Sequence, residues 1–484
     1  MRLTKVAYIP NTENSWPFGR AEAACDFKTL GYAEREYFFS GLARVYQELP
    51  HGKAKVIHEG APYTNRVIFR MPVDPKKFSG NVVVEILNST AGIDIDRIWI
   101  NSWKYLTRHG DIYVGITSRG NVLDALKNFD PERYAALDWS NPMPERPAPE
   151  GALTDGPFRF RPEQEMGLFW DMLEDCSQLL RSDAEENPLK DYPNRRIFLT
   201  GWSQSTSYIA RYLKTFYNEK EPLYAGYLSA GGGCVPMGLN AYEPQVAPFK
   251  ADGIPAGSVM GAAEPVIAVN TESENRLAYW YGDFDEPRFK FRTYQIPGSS
   301  HDSKYNLFDY YGLDPYMTSK KANHWEVRFR DGENLDYPYE PIFCAAFRNL
   351  FAWANEGIPA PHAPKIETNI VRGDSTDPLG TDADNLTDVF GNSLGGIRTP
   401  AIDYPTGTYC SHAVKADGSI SAMFGKVNPF SPEKLKALYG TLENYRSLVE
   451  QGAEQMQAKG FLLPEDKQEL IDRIVATARE RGLE

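Results

Sequence analysis

The alternation of apolar and polar positions along the 484-residue chain predicts strands and helices in turn. Residues 54–58 and 65–72 alternate as half-buried strands do. Residues 81–87 and 111–118 are almost continuously apolar, which is typical of strands covered on both faces. A stretch around residues 98–108 between them has helical spacing, so this half of the chain indicates strands joined through helices.

The same pattern continues through the middle of the chain. Apolar residues recur at three- and four-residue spacing over 163–180, which predicts a helix with Pro162 at its first position. Further strands are predicted from residue 196 into a turn at 203, and at 223–230, 265–270 and 291–296. Strands that alternate with helices imply right-handed crossovers, so the predicted fold class is α/β, with a mainly parallel central sheet and helices on both faces.

The remaining segments complete a single predicted domain over residues 1–484, with its core at about 54–356. Residues 33–46 are predicted to be extended or partly helical, and an apolar helix is predicted at 341–356. The Pro-rich, irregular residues 119–161 are longer than an ordinary connection, which predicts a lid or pocket wall over about 121–161.

A C-terminal extension is predicted over about 365–484, packed on the core. Its first part, residues 365–430, is rich in turn residues. Two helices close the chain, one from Pro432, capped by Ser431 and running past Tyr445, and one at 464–479.

A candidate nucleophile lies at the turn that follows the strand from residue 196. In Gly201-Trp202-Ser203-Gln204-Ser205 the positions two residues either side of Ser203 are small, as a sharp strand-to-helix turn requires. The alternative is an ordinary strand-to-helix connection with a helix-capping serine.

A base and an acid follow Ser203 at the ends of later predicted strands. A serine hydroxyl needs a positioned base, and the base needs a third group to orient it. Glu272 and Glu274 follow one strand, and His301 follows the last. Because the carboxyl ends of parallel strands meet at one edge, these side chains are expected to converge in the order Ser, Glu, His.

Two details of this site stay open or rest on topology. Glu272 and Glu274 are separated by one residue, so either can be the acid. If the strand over 265–271 ends at the usual level of this kind of fold, the acid position falls on Glu274, which we favour, with Glu272 as the alternative. The oxyanion formed during acyl transfer needs backbone N–H donors, and topology assigns these to Gln204 and to Ser89 in the loop after residue 87.

Composition excludes several classes of protein. With 42% hydrophobic and 13% aromatic residues the chain is globular, and its net charge of −13 argues against a nucleic-acid partner. The five cysteines, Cys25, Cys176, Cys234, Cys344 and Cys410, are widely spaced, which favours reduced thiols. We see no secretory signal and no long apolar run, so we expect a soluble, cytoplasmic protein with no membrane partner.

Segments spread over nearly the whole chain resemble a largely uncharacterised, mostly bacterial family of α/β-hydrolase domain proteins. They are residues 31–38 (GYAEREYF), 82–88 (VVVEILN), 130–134 (DPERY), 201–205 (GWSQS), 271–274 (TESE), 395–400 (GGIRTP) and 460–466 (GFLLPED). The resemblance implies the α/β-hydrolase fold and a serine hydrolase, with carboxylic ester hydrolysis as the expected activity. Members usually carry Asp where this chain has Glu274.

The sequence therefore predicts a serine esterase with the triad Ser203, His301 and Glu274, acting on a small-molecule ester through an acyl-enzyme. No metal or organic cofactor is expected, because this chemistry requires none and no ligand motif is present. A lactonase, amidase or acyltransferase would use the same groups. A second class, a non-catalytic binding protein on the same fold, would fail to react with a serine-directed phosphonate.

Overall fold

A computed structural model of the chain describes residues 2–155, 159–233, 236–243, 261–274, 282–314, 332–369, 385–414, 420–421 and 423–484. Within these residues the fold is organised around one large sheet. Its strands are β1 (Leu3–Ile9), β2 (Tyr32–Glu48), β3 (Ala54–Pro72), β4 (Asn81–Ile86), β5 (Ile112–Ile116), β6 (Arg196–Trp202), β7 (Gly226–Ala230), β8 (Val266–Thr271), β9 (Phe284–Glu286) and β10 (Phe289–Ile296).

The order of strands across the sheet is β1-β2-β3-β5-β4-β6-β7-β8-β10-β9. From β5 to β10 in that order, every neighbouring pair is parallel. The three N-terminal strands and the edge strand β9 pair antiparallel. The predicted mainly parallel sheet is confirmed, and β6, which leads to Ser203, lies among its parallel strands.

Helices pack around this sheet and continue beyond it. They are α1 (Phe27–Leu30), α2 (Arg97–His109), α3 (Leu123–Phe129), α4 (Phe169–Arg181), α5 (Gln204–Thr215), α6 (Glu340–Glu356), α7 (Pro400–Asp403), α8 (Pro432–Tyr439), α9 (Leu442–Ala458) and α10 (Pro464–Glu480). Two small sheets accompany the C-terminal region, formed by β11 (Glu333–Asn334), β12 (Gly407–Cys410) and β15 (Lys426–Pro429), and by β13 (Ala413–Val414) and β14 (Ile420–Ser421). The predicted helical C-terminal region is thereby confirmed.

Strand β6 shows that helices cover both faces of the sheet. Successive side chains of a strand point to opposite faces. Phe198 contacts Phe351 of α6, with ring centroids 4.6 Å apart, and Trp202 packs on the same side. Gly201, on the opposite face, lies against Ser205 of α5. The sheet is therefore buried between α6 and α5, as the apolar runs of the parallel strands predict.

Three local predictions were wrong, each for a physical reason. Residues 54–58 and 65–72 form one strand, β3, because the polar residues between them continue its pairing with β2. The helix predicted over 163–180 begins at Phe169, because the carboxylate of Glu165 accepts hydrogen bonds from the backbone N–H groups of Gly167 and Ala241 and holds this segment in a turn. Pro162 thus precedes the helix.

The third error concerns the C-terminal helices. The helix predicted from Pro432 past Tyr445 is two helices, α8 and α9. Gly440 adopts a φ of 74°, and the side chain of Thr441 accepts from the backbone N–H of Asn444 and starts a new helix.

Other predictions were partly right. Residues 33–46 are extended, within β2, and the irregular segment 119–161 contains the short helix α3. Residues 156–158, 370–384, 415–419 and 422, which belong to the predicted lid and C-terminal extension, lie outside the described residues.

A buried ion-pair network ties the antiparallel strands to the loop that precedes α2. Arg66 of β3 pairs with Glu36 at 2.5 Å and with Asp94 at 2.9 Å. Arg70 pairs with Glu34 at 2.7 Å and with Asp96 at 2.5 Å. Because the two aspartates lie between the end of β4 and the start of α2, the network fixes the loop at the carboxyl edge of the parallel strands.

Candidate active site

Ser203 lies at the sharp turn between β6 and α5. Its φ of 59° and ψ of −118° are a strained conformation that non-glycine residues rarely adopt. A Cβ atom on Gly201 would lie 2.6 Å from Cβ of Ser205, closer than carbon atoms can approach. The small residues on either side of Ser203 are therefore required by the turn, which presents the serine at the carboxyl edge of the sheet.

His301 and Glu274 lie together at the ends of the neighbouring strands β10 and β8. The Nδ1 atom of His301 is 2.5 Å from Oε1 of Glu274, and both side chains are buried. The other carboxylate oxygen of Glu274 accepts from the backbone N–H and the hydroxyl of Thr271, at 2.8 and 2.6 Å. Glu274 is thus held in place by the strand end and faces the imidazole.

Glu272 has a different position. Its Oε2 accepts from the backbone N–H of Gly298 at 2.6 Å, and its Oε1 accepts from the hydroxyl of Ser411 at 3.3 Å. Burial raises the pKa of this carboxyl group. Glu272 therefore stabilises the turn that precedes His301, whereas Glu274 contacts the imidazole itself.

The electrostatics around His301 favour its protonated form. Burial acts to lower the pKa of the imidazole, but the negative charge of Glu274 and its hydrogen bond outweigh burial, so the pKa lies above its ordinary value. Asp302 raises the pKa further, and the positive charge of Arg97 opposes this. In the neutral form, a proton on Nδ1 donates to Glu274 and leaves Nε2 as an acceptor.

The acceptor nitrogen of His301 is occupied by Trp202. The indole Nε1 of Trp202 donates to Nε2 at 3.2 Å, and the two ring centroids are 5.1 Å apart. Among the hydrogen bonds of the described residues, none joins Ser203 Oγ to this nitrogen. Because Trp202 immediately precedes Ser203, the imidazole lies beside the serine turn, and an exchange of partners would bring Nε2 to the hydroxyl; such bonds often tighten only when substrate binds.

Arg97, at the start of α2, contacts both the segment that carries His301 and the ring of Trp202. Its guanidinium pairs with Asp302, the residue after His301, and lies 5.7 Å from the ring of Trp202. The Nε and Nη1 atoms of Arg97 are buried and have no hydrogen-bond partner among the described residues. Neither Trp202 nor Arg97 could be assigned from the sequence, because their roles depend on contacts between distant segments.

The predicted oxyanion donors, Ser89 and Gln204, lie in contact. The side-chain Oε1 of Gln204 accepts from the hydroxyl of Ser89 at 2.8 Å and from its backbone N–H at 3.4 Å. Asn88 fixes the same loop, because its amide donates to the carbonyl of Trp202 at 3.0 Å. The backbone N–H of Gln204 is at the open N-terminus of α5. The loop after β4 and the serine turn are thus locked together.

Potential metal ligands and cysteines are dispersed in the described part of the chain. No group of three or more His, Cys, Asp or Glu side chains there is placed to hold a metal ion. Cys25, Cys176 and Cys344 are buried thiols, and Cys234 lies outside the described residues. No helix in the described ranges is long and apolar enough to cross a membrane.

Several solved structures are similar to the chain at low sequence identity. Among solved structures, the chain is similar to an alpha-beta serine hydrolase homologue from Coxiella burnetii, with 12% identity and a TM-score of 0.27 over 54% of this chain and 92% of that one. The glucuronoyl esterase from Solibacter usitatus shows 11% identity and a TM-score of 0.29 over 67% and 88% of the two chains. The esterase LipA from Xanthomonas oryzae shows 11% and 0.25 over 48% and 50%.

These structural likenesses are weak, and no curated protein matches the chain. The model of one protein family, described as alpha/beta hydrolase domain, matches residues 5–472. Since this match covers nearly the whole sequence, the chain belongs to the alpha/beta hydrolase domain family.

Proposed function

We propose that the protein is a serine esterase in which Ser203 is the nucleophile and His301 the general base. Glu274 orients the imidazole of His301 and stabilises its protonated form. The observation that carries the proposal is the 2.5 Å contact between Glu274 Oε1 and His301 Nδ1 beside the strained turn of Ser203. A buried carboxylate on Nδ1 selects the tautomer whose Nε2 can accept the serine proton.

The reaction would proceed in two halves. Ser203 Oγ attacks the ester carbonyl carbon while His301 Nε2 takes the hydroxyl proton, and the same proton then goes to the alcohol as its bond to the acyl carbon breaks. Water attacks the resulting acyl-serine, gives a proton to Nε2 and releases the carboxylic acid as Ser203 regains its hydrogen. Water and ester are consumed in equal amounts, so no other reactant is needed.

Acyl transfer also needs hydrogen-bond donors for the oxyanion that forms on the ester carbonyl. We assign the backbone N–H groups of Gln204 and Ser89 to the negatively charged oxygen of the tetrahedral intermediate. This assignment is supported by the Ser89–Gln204 contact of 2.8 Å, which holds the two segments side by side. To bind the oxyanion, the backbone N–H of Ser89 would exchange its present acceptor, Oε1 of Gln204 at 3.4 Å, for the substrate oxygen.

The test is hydrolysis of p-nitrophenyl acetate by the wild type and by Ser203→Ala. The variant should lose roughly 10³-fold or more in kcat/KM, because removal of the nucleophile prevents formation of the acyl-enzyme. Ser207→Ala, a half-buried serine on the same helix, is the matched control and should retain wild-type turnover. Equal activity of Ser203→Ala and the wild type would refute the proposal.

A further inference from the structure

A cavity with three arginines in its wall lies at the carboxyl edge of the sheet. Its volume is about 300 Å³, and it is enclosed by the segment after β5 and by parts of the predicted lid. The arginines are Arg119, Arg159 and Arg161, and apolar side chains such as Leu153, Phe160 and Met166 form much of the rest. The cavity therefore offers positive charge at one part of a largely apolar surface.

Arg119 brings a buried positive charge into this wall. It follows β5 and is 1% exposed. Its guanidinium is hydrogen-bonded to the hydroxyl of Tyr208, which in turn donates to the carbonyl of Ser118 at 2.9 Å. Burial lowers the pKa of Arg119, and the positive charge of Arg161 lowers it further. Arginine stays protonated at neutral pH, so two cations are held close together at the cavity.

Among the residues that the structure describes, the acidic groups near the cavity are exposed to solvent or already accept hydrogen bonds from other groups. Glu243 accepts from the backbone N–H groups of Glu48 and Leu239, at 2.8 and 2.7 Å. Glu150 is exposed to solvent, where its charge is screened. Arg161 pairs with Asp124 at 2.8 Å and with Glu163 at 3.9 Å, and both carboxylates are largely exposed to solvent. An anion in the cavity would thus lower the repulsion between the buried guanidinium of Arg119 and the partly exposed guanidinium of Arg161.

Hydrogen bonds connect the cavity to the proposed catalytic groups. Asn121 lines the cavity and donates to the carbonyl of Ser89 at 3.0 Å. Ser89 is joined to Gln204, the residue after Ser203. Tyr208, which holds Arg119, lies on the helix that begins at Gln204. These bonds link the wall of the cavity to the proposed oxyanion donors and to the segment that carries Ser203.

We propose that this cavity binds a carboxylate group of the substrate, so that the enzyme acts on esters that carry a second, ionised carboxyl group. The proposal rests on the esterase function above and names its substrate class. Guanidinium groups bind carboxylates through paired N–H donors, and they do so most strongly when water is excluded. The carboxylate takes no part in bond breaking, and it is released unchanged with one of the two products.

The experiment compares charged and neutral esters of matched length. Ethyl hydrogen adipate carries the anion on the acyl side, and its neutral counterpart is ethyl hexanoate. 5-Acetoxypentanoate carries it on the alcohol side, and pentyl acetate is neutral. The wild type should prefer the anionic member of at least one pair by roughly 10- to 100-fold in kcat/KM, the range expected for a charge-assisted hydrogen bond.

Two variants assign the preference to the cavity. Arg119→Met should abolish it while hydrolysis of the neutral ester continues, and Arg161→Met should reduce it. Arg446→Met, an exposed arginine on α9 that pairs with Asp472, is the matched control and should leave the preference unchanged. If Arg119→Met does not fold, adipate inhibition of the wild type and of Arg161→Met provides the second measurement, with weaker inhibition expected in the variant.

Failure of this proposal can be told apart from failure of the esterase function. Equal kcat/KM for charged and neutral esters in the wild type, or a preference that survives in both Arg119→Met and Arg161→Met, would overturn the carboxylate site and leave the esterase intact. If instead Ser203→Ala hydrolyses these esters as well as the wild type does, the esterase assignment falls and the substrate class falls with it.

Discussion

Replacement of Glu274 by Gln should slow ester hydrolysis by about three orders of magnitude. The carboxylate lies 2.5 Å from Nδ1 of His301, and both groups are buried. Unit charges about 4 Å apart interact by roughly 4 kcal/mol at an effective dielectric constant of ~20. A tenfold loss in rate corresponds to about 1.4 kcal/mol, so loss of this interaction with the imidazolium formed in the transition state predicts a roughly 10³-fold fall in kcat/KM.

The assay is steady-state hydrolysis of an aryl ester across pH, with Glu272→Gln as the matched control. Glu272 accepts from Gly298, and a Gln side chain can still accept there, so this variant should stay within about tenfold of the wild type. Glu274→Asp keeps the charge and should lie between Glu274→Gln and the wild type. The reverse ranking of the Glu274→Gln and Glu272→Gln variants would transfer the acid role to Glu272 and refute the reasoning.

The pH profile provides a second reading of the same variant. Catalysis needs neutral His301, so activity is lost as pH falls through its pKa, which the structure holds above the ordinary value. Removal of the negative charge destabilises the imidazolium, so the acid limb of kcat/KM should move to lower pH in Glu274→Gln. An acid limb that stays in place would show that the imidazole does not respond to Glu274.

Three further outcomes follow from buried contacts. The indole N–H of Trp202 donates to Nε2 of His301 and thereby favours the neutral imidazole. Trp202→Phe removes this donor, so the acid limb of kcat/KM should move up by roughly half to one pH unit. A shift to lower pH would contradict this. Ser205→Ala removes a buried hydroxyl without a partner among the described residues, so denaturant unfolding should show stability raised by about 1 kcal/mol, not lowered. Arg66→Met should lower the free energy of unfolding by about 3 to 5 kcal/mol, because Glu36 and Asp94 would lose a buried counter-ion. An unchanged denaturation midpoint would show that the network is dispensable.

The parts of the fold that could be predicted from sequence are those set by local patterns. Apolar runs at residues 81–87 and 111–118 correspond to β4 and β5, and the small residues around Ser203 correspond to the turn that needs them. The β2–β3 hairpin was harder to predict, because its long strands mix polar and apolar residues and are stabilised through pairing with each other.

The candidate site divides in the same way. His301 could be chosen from its place after a late strand, and the expected end of the strand before them favoured Glu274 over Glu272. Their different partners could not be predicted, because one short helical turn directs the two side chains apart. Contacts between distant segments left no mark in the sequence, and the bond from Trp202 to His301 is the clearest case. The domain limits and the cytoplasmic location stay predictions.

The most direct test of the account is to find which residue reacts with a fluorophosphonate. The probe forms a stable bond only with a serine activated by a neighbouring base, and mass spectrometry of the digested protein locates it. We expect modification of Ser203 in the wild type, none in Ser203→Ala, and slow labelling in Glu274→Gln. Labelling at another serine, or none in the folded wild type, would contradict the central claim that Ser203, His301 and Glu274 act together.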